Sequence, residues 1–379
     1  MDDQSSQNQV GSSILDTIMG SQTQSNLNNF EPGRLVTQVL LALKDRDREI
    51  VTKRFGLDGS EIETLEAIGQ KYNLTRERVR QIEKDSIALL KQKKNKDLQA
   101  ALQLIFDTIV EHGNIMSEDL LIQTVLFGRS SDRDISAVKF LLNLSDQISY
   151  IKESSQFRAS WAVLGFNMQK LNGVIEQFVS ILSNHGKVMK QEDLNAEFKN
   201  SEHFKTHTFE LNDRVLKSYL DIAKNIQINP FFEIGLKDWA EVKPRDVGDK
   251  AYLVLKHHGK PEHYSEITKL INERKFDERV AYQETVHNEL IKDSRFVLIG
   301  RGIYALTEWG YKKGVVAEVI KEVLKSSARP LSRDEIISEV LKRRFVKRNT
   351  ILVGLSNKKF FQKVGKDRYA LAETAKESA

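Results

Sequence analysis

The sequence predicts a mainly α-helical chain: one helix-turn-helix segment near the start, then tandem units of three helices and a small β-hairpin. Three observations predict it. The run TLEAIGQKYNLTRERVRQIEKDSIALL (64–90) places Leu65, Ile68 and Tyr72 at helical spacing, then Val79, Ile82 and Leu89 on one face of a second helix. Similar turns recur at EHGNIMSEDL, NHGKVMKQEDL, HHGKPEHYSEI and SARPLSRDEI, with Gly113, Gly186, Gly259 and Ala328 spaced by 73, 73 and 69 residues. Each unit then closes on an aromatic-Ala pair: Trp161-Ala162, Trp239-Ala240, Tyr304-Ala305 and Tyr369-Ala370.

Taken in order, residues 1–33 form a tail rich in Ser, Gln and Asn, too polar to fold alone and read as disordered. Ile14, Leu15, Ile18 and Met19 could make one amphipathic turn within it. Residues 34–97 form the helix-turn-helix domain. Leu35, Val39, Leu43, Ile50 and Phe55 mark one or two helices, and Asp58-Gly59 is a turn dipeptide whose surroundings lack calcium-loop spacing. Asn73 and Leu74 make the turn between the motif's helices, and Thr75 is a good N-cap for the second. On that helix Arg76, Glu77, Arg80 and Gln81 share a face. These residue types suit base edges: Arg bonds guanine in two places, Gln bonds adenine, and Glu accepts from cytosine. The same pattern also fits an ordinary solvated helix face. Lys91, Lys93, Lys94 and Lys96 form a basic helix end, suited equally to the helix dipole and to phosphate.

From Leu98 the units run over 98–166, 167–243, 244–312 and 313–379. A third helix precedes short β-like runs at Ile148–Lys152, Arg295–Ile299 with Gly302–Leu306, and Phe361–Val364 with Arg368–Leu371. Gly300-Arg301-Gly302 and Gly365-Lys366-Asp367 are the expected hairpin turns. Three helices followed by a two-stranded hairpin is the plan of a winged helix.

TLEAIGQKYNLTRERVRQIE, preceded by DREIVTKRFGLDG, closely resembles region four of housekeeping-type bacterial sigma factors, from about Leu40 to Lys91. In that family this motif enters the major groove at the upstream promoter element and also grips RNA polymerase. The resemblance implies that Arg76, Glu77, Arg80 and Gln81 contact bases, and that Thr64, Leu65, Arg78 and Lys84 lie close to phosphates. It further implies double-stranded DNA and RNA polymerase core as partners. Unit three, GKPEHYSEITKLINER with YQETVHNELIKDSRFVLIGRGIYALTEWG, resembles the HARE-HTH winged helices, which include an accessory polymerase subunit. The likeness is looser for unit four and is one of pattern alone for units one and two. Sigma factors melt DNA with an aromatic-rich segment. All three Trp residues here belong to the repeats, where they are expected to fill small cores, so modulation of initiation is expected rather than replacement of a sigma factor.

Composition sets the outer bounds. The 379 residues suffice for several domains, there is no Cys, and the net charge is +5. Disulfides and thiolate metal sites are thereby excluded. No apolar run reaches the roughly 20 residues that cross a bilayer. With no signal pattern at the start, a cytoplasmic protein without a membrane partner is expected. Positive charge gathers in two places, net +4 over 34–97 and +8 over 313–373. In unit four Arg343, Arg344, Lys347 and Arg348 lie just before and within the third helix and are expected at phosphates, with Lys358, Lys359, Lys363, Lys366 and Arg368 in the hairpin. Units one and two, neutral or acidic, are expected to space the ends or bind protein. The recurrent His112, His185 and His258 are read as turn caps, not ligands. No nucleotide loop, nucleophile elbow or paired-carboxylate pattern stands out, so neither enzyme activity nor a cofactor or metal is expected. Three functions fit: a sigma-related initiation factor or regulator, a polymerase-accessory or chromosome-binding protein with little sequence preference, and the DNA-targeting part of a restriction or modification system.

Overall fold

The computed structural model describes Leu27 and residues 30–372, except 94, 129–130, 207–210, 312–315, 328, 344–347 and 366. The amphipathic turn at 14–19, Lys94, Ala328, Arg344, Lys347 and Lys366 therefore lie outside the described residues. The chain is mostly helical. It divides into two compact units, Met1–Gly186 with Gln191–Gln227, and Lys187–Lys190 with Ile228–Ala379.

The first unit begins with α1 (Pro32–Leu40) and α2 (Asp45–Phe55), then α3 (Leu65–Tyr72) and α4 (Arg76–Gln92). Pro32 opens α1 where its missing N–H costs nothing, and Gly56 ends α2 at φ +65°. Leu27 and Phe30 are buried in the same cluster as Val36 and Val39, so ordered packing starts before the expected end of the tail at residue 33. The basic stretch after Leu90 is also not one helix end. α4 stops at Gln92 and α5 (Lys96–Glu111) starts behind an Asn95 side-chain cap.

α5 leads into β1 (Ile115–Ser117), α6 (Glu118–Leu126), α7 (Asp132–Leu144), β2 (Ile148–Ile151) and β3 (Ser160–Val163). Ser117 and Ser131 cap α6 and α7. Trp161 is buried, and its indole N–H donates to Glu118 Oε2 at 3.0 Å. The helices of the next group, α8 (Met168–His185), α9 (Gln191–Lys199), a short α10 (Glu202–Lys205) and α11 (Asp213–Ile222), complete this unit. Phe178 and Phe198 stack at 4.4 Å between α8 and α9.

Two third helices are enclosed by their neighbours. α7 packs on α1 and α2: Asp134 accepts from the Gly33 N–H at 3.1 Å, Arg133 donates to the Thr37 hydroxyl at 2.8 Å, and Phe140 meets Phe55 edge-on at 5.0 Å. A Cβ on Gly33 would stand 2.7 Å from the Asp134 carboxylate. One apolar cluster accordingly runs from Val36, Val39 and Val51 through to Phe140, Leu141 and Trp161. α11 lies on β1. Ser218 donates to the Ile115 carbonyl at 2.8 Å, Tyr219 to the Gly113 carbonyl at 2.9 Å, and Ser117 to Asp221. Gly113, at φ +87°, is the approach point, since a Cβ there would meet Val215 at 2.5 Å.

After α11 comes β5 (Ile226–Ile228). In the second unit β4 (Met189–Lys190) pairs antiparallel with β6 (Glu233–Leu236) in the register Met189↔Ile234. The preceding turn is held by Asn229, buried, whose side-chain oxygen accepts from the N–H groups of Phe231 and Glu233. Phe231 stacks on His257 at 3.7 Å, beneath the Arg274 guanidinium. α12 (Val247–His258), β7 (Glu262–His263), α13 (Tyr264–Arg274), α14 (Gln283–Lys292), β8 (Phe296–Gly300) and β9 (Ile303–Leu306) enclose Leu255, Ile267, Val286, Phe296 and Tyr304. Arg295 is clasped by Asp293 at 2.6 Å and Asp249 at 2.9 Å. Last come α15 (Val316–Ser327), β10 (Leu331–Ser332), α16 (Arg333–Arg343), α17 (Arg348–Leu355), β11 (Phe361–Lys363) and β12 (Arg368–Leu371) around Ile320, Ile336 and Ile351.

The expected hairpins each have a short extra strand beside them. Sheet orders are β1-β3-β2, β7-β9-β8 and β10-β12-β11, all antiparallel. Strands of two or three residues are too short to show alternation in sequence, which is why β1, β7 and β10 escape a pattern search. No helix of the described residues is long and apolar enough to cross a membrane.

Candidate nucleic-acid interface

Local sequence builds the α3–α4 motif from both ends. Thr64 and Thr75 each accept, at 3.2 Å, the N–H of the third helical residue after them. Asn73 ends α3 in the left-handed region at φ +55°, a conformation Asn tolerates better than most residues. Ahead of it Gly69 is buried, and a Cβ on it would stand 2.7 Å from the Leu74 carbonyl. The tight turn thus needs hydrogen at that position, a requirement that spacing alone does not reveal. Ile50, Ile68, Val79 and Ile82 form the motif's own core, with Leu65, Tyr72 and Leu74 against it. Arg54 ties α2 to α4 through Glu83 at 3.0 Å, and the Tyr72 hydroxyl donates to Glu49 at 3.0 Å. Leu89, expected on the apolar face, is 41% exposed; Ser86 and Leu90 are buried instead. The face turns through 79, 82, 86 and 90, and position 89 falls at its edge.

With that side held, the opposite side of α4 is open. Arg76, Glu77 and Arg80 are exposed and Gln81 is half-buried, so the four expected base readers lie together on one surface. Glu77 and Arg80 are joined as a fork. Arg80 Nε donates to Glu77 Oε2 at 2.9 Å and Nη2 to Oε1 at 2.6 Å, with side chains 70% exposed for Glu77 and 55% for Arg80. The hydrogen bond from Arg80 holds the Glu77 carboxyl below its ordinary range and raises Arg80 in turn. Gln81 Nε2 donates to Asp85 at 2.7 Å. Neither pairing is among the expectations from sequence, although the i, i+3 and i, i+4 spacings carry the signal. Arg78 and Lys84 are exposed, as is Thr64, while Leu65 is half-buried against the motif's core. Arg76, Arg78 and Lys84 form no ion pair among the described residues, leaving three cations beside the forked pair. The amide-rich N-termini of α3 and α4 add donors suited to phosphate.

Of the cations expected in the last group, those at the helices among the described residues are Lys342, Arg343 and Arg348. Lys342 and Arg343 end α16, where Lys342 meets Glu339 at 2.6 Å and Arg343 lies 4.0 Å from it. α17 carries Arg348 alone as a cation, and this pairs with Asp334 at 2.5 Å. Lys358, Lys359, Lys363 and Arg368 are exposed in and before the β11–β12 hairpin. The described positive charge therefore sits more in the hairpin than in the helix.

Of the recurrent histidines, His112 places Nδ1 2.7 Å from the Thr108 carbonyl, and burial lowers its pKa. His258 meets Glu262 at 3.1 Å. No group of three or more His, Cys, Asp or Glu placed to hold a metal occurs among the described residues.

Residues 39–92 match the family model for Sigma-70, region 4. That stretch is a sigma region 4 helix-turn-helix. The chain is similar to the RNA polymerase sigma factor RpoS of Coxiella burnetii, 41% identical over 88 residues, 21% of this chain and 23% of that protein. It is also similar to sigma factor SigA1 of Synechococcus elongatus, 47% identical over 53 residues, 14% of this chain and 13% of that one. To SigA of a Nostoc species it is 36% identical over 92 residues, 20% of this chain and 24% of the relative. The chain thus covers about a quarter or less of the curated relatives it matches.

Proposed function

We propose that this chain is a non-enzymatic, cytoplasmic DNA-binding transcription protein related to sigma factors. It reads promoter-like duplex DNA and works with RNA polymerase core in initiation or its regulation. The observation that carries this is the open face of α4: Arg76, Glu77, Arg80 and Gln81 project together from a helix whose other side is locked by Ile50, Ile68 and Val79. They lie within the stretch that matches sigma region 4. In this reading Thr64, Leu65, Arg78 and Lys84 lie along the phosphates, and RNA polymerase is the partner that the relatives' names carry. The four groups after residue 98 are winged helices, the third of the HARE-HTH kind; three helices beside a small antiparallel sheet in groups one, three and four support that assignment. The enclosure of α7 and α11 supports groups one and two as spacers rather than DNA readers. Arg343, Arg344, Lys347 and Arg348, with the hairpin cations, give the fourth group a second phosphate contact.

The test is duplex binding across a sequence library at fixed salt, with wild type and with Arg80→Ala plus Gln81→Ala. A short preferred motif is expected, weakened in the variant by about 1–3 kcal/mol for each bidentate pair removed. Co-purification of polymerase core with the full chain tests the partner. A polymerase-accessory or chromosome-binding protein with little sequence preference is the second reading, favoured by the internal pairing of Arg80 and Gln81. It requires equal affinity for all sequences and no effect of the double substitution.

A further inference from the structure

Phe232 is the most exposed large apolar side chain among the described residues, at 81%. Its backbone lies in the left-handed region at φ +62°, which Gly adopts freely and a bulky residue rarely does. The turn beneath it is not loose. The Phe232 N–H donates to the Asn229 carbonyl at 2.9 Å. The buried Asn229 side chain donates to Glu233 at 3.0 Å and to the Glu241 carbonyl at 3.1 Å. The neighbouring ring, Phe231, is stacked on His257, with the Arg274 guanidinium over it at 4.9 Å. Strain of this kind, in an exposed residue on a braced turn, points to a contact outside the fold. The free charge beside it is positive. Arg274 is exposed and forms no ion pair among the described residues, whereas Glu233 and Glu241 are taken by His257 at 3.2 Å and Lys256 at 2.8 Å.

A groove of about 610 Å³ lies between α13 and the start of α14. Thr268 and Asn272 in its lining are already satisfied. The Thr268 hydroxyl donates to the Tyr264 carbonyl at 2.8 Å, and Asn272 and Ala281 exchange two hydrogen bonds at 2.8 and 3.0 Å. A ring can enter without stranding these groups. Tyr282, which also lines the groove, is 68% exposed, and Glu284 forms no ion pair among the described residues. Knob and groove are thus complementary, ring to cleft and free cation to free carboxylate. They also meet at the end of α13, since Arg274 lies over Phe231 while Glu273, the residue before it, lines the groove.

We propose that Phe232 docks into this groove on a second copy of the chain, with Arg274 facing Glu284 across the contact. Because knob and groove adjoin, one two-fold axis seats both knobs at once and closes the assembly as a dimer. Two rings of about 150–250 Å² each make a small interface, so the association is weak and concentration-dependent. In the reading proposed above, a dimer carries two α4 helices and suits paired target motifs. The dimer itself does not depend on that reading.

The test is sedimentation of the full chain from about 1 to about 200 μM, with no DNA present. Wild type is expected to shift from monomer towards dimer over this range. Phe232→Gly weakens the association by about tenfold or more. It also raises the melting temperature by about 2–4 °C, because Gly relieves the left-handed strain, so loss of fold does not account for loss of the dimer. Phe232→Tyr keeps the ring and retains the dimer. Arg274→Glu and Glu284→Arg each weaken it, and the two together restore it. A monomer throughout the range overturns the proposal. So does a dimer indifferent to Phe232→Gly, or one that the charge swap does not restore. If Phe232→Gly instead weakens binding of a monomeric chain to polymerase core or to duplex DNA, another molecule is the occupant and the second copy is ruled out.

Discussion

Gly69 occupies the narrowest point of the helix-turn-helix. Alanine would favour the helix by about 1 kcal/mol, yet its Cβ would press on the Leu74 carbonyl at 2.7 Å, a backbone atom that cannot rotate away. Gly69→Ala is expected to lower stability by a net ~1–2 kcal/mol, the cost of overpacking less the helix gain, read as a shift in the urea midpoint. Glu335 illustrates the other kind of single-residue effect. Its carboxylate accepts from the Ser332 N–H at 2.7 Å while its own N–H donates to the Ser332 hydroxyl, a capping box at the start of α16. The Ser332 backbone bond first, then Arg329, brings its pKa from 4.5 down to about 2. A depressed carboxylate stabilises fully above its unfolded pKa and ceases to do so as pH falls through the folded one. The difference in melting temperature between wild type and Glu335→Ala should therefore be constant above about pH 5 and shrink between about pH 4.5 and pH 2. The capping box could be read in SRDE of the sequence; the constraint on Gly69 could not, because it comes from a carbonyl across the turn.

The decisive events among elements are the engagements of α7 and α11. Periodicity locates both helices, and the charge of their groups argues against DNA contact. Which surface each helix covers depends instead on contacts about 100 residues apart in sequence, such as Gly33 with Asp134 and Gly113 with Tyr219. Phe140 is fully buried in the cluster shared by α1, α2 and α7. Phe140→Ala is expected to cost about 3–5 kcal/mol. Amide exchange should show the loss in α1 and α2 as well as in α5–α7, since one core serves both; weakened protection in α5–α7 alone would contradict a shared core. Replacing Ser218 and Tyr219 by Ala and Phe leaves the Ile115 and Gly113 carbonyls without these partners, at about 1–3 kcal/mol each.

At the scale of the molecule, charge separates the functions. The near-neutral middle carries the enclosed helices, and the surplus cations lie over 34–97 and 313–373. Neutralising Arg343, Arg348, Lys358 and Lys363 together should reduce the slope of log affinity against log salt by about 0.9 for each phosphate no longer neutralised. An unchanged slope would remove this end from the DNA interface. The mostly helical character was legible because helices of 8–18 residues leave a period in the sequence. The boundaries were less so: the predicted break near residue 97 runs through a continuous core. That core has a practical meaning. Val36, Val39 and Val51 share one interior with Phe140 and Trp161, so α1 and α2 and the group behind them are joined like a key to its bow, not tethered by a string. A chain cut near residue 97 would bare that interior on both pieces, so neither piece is expected to be recovered folded alone.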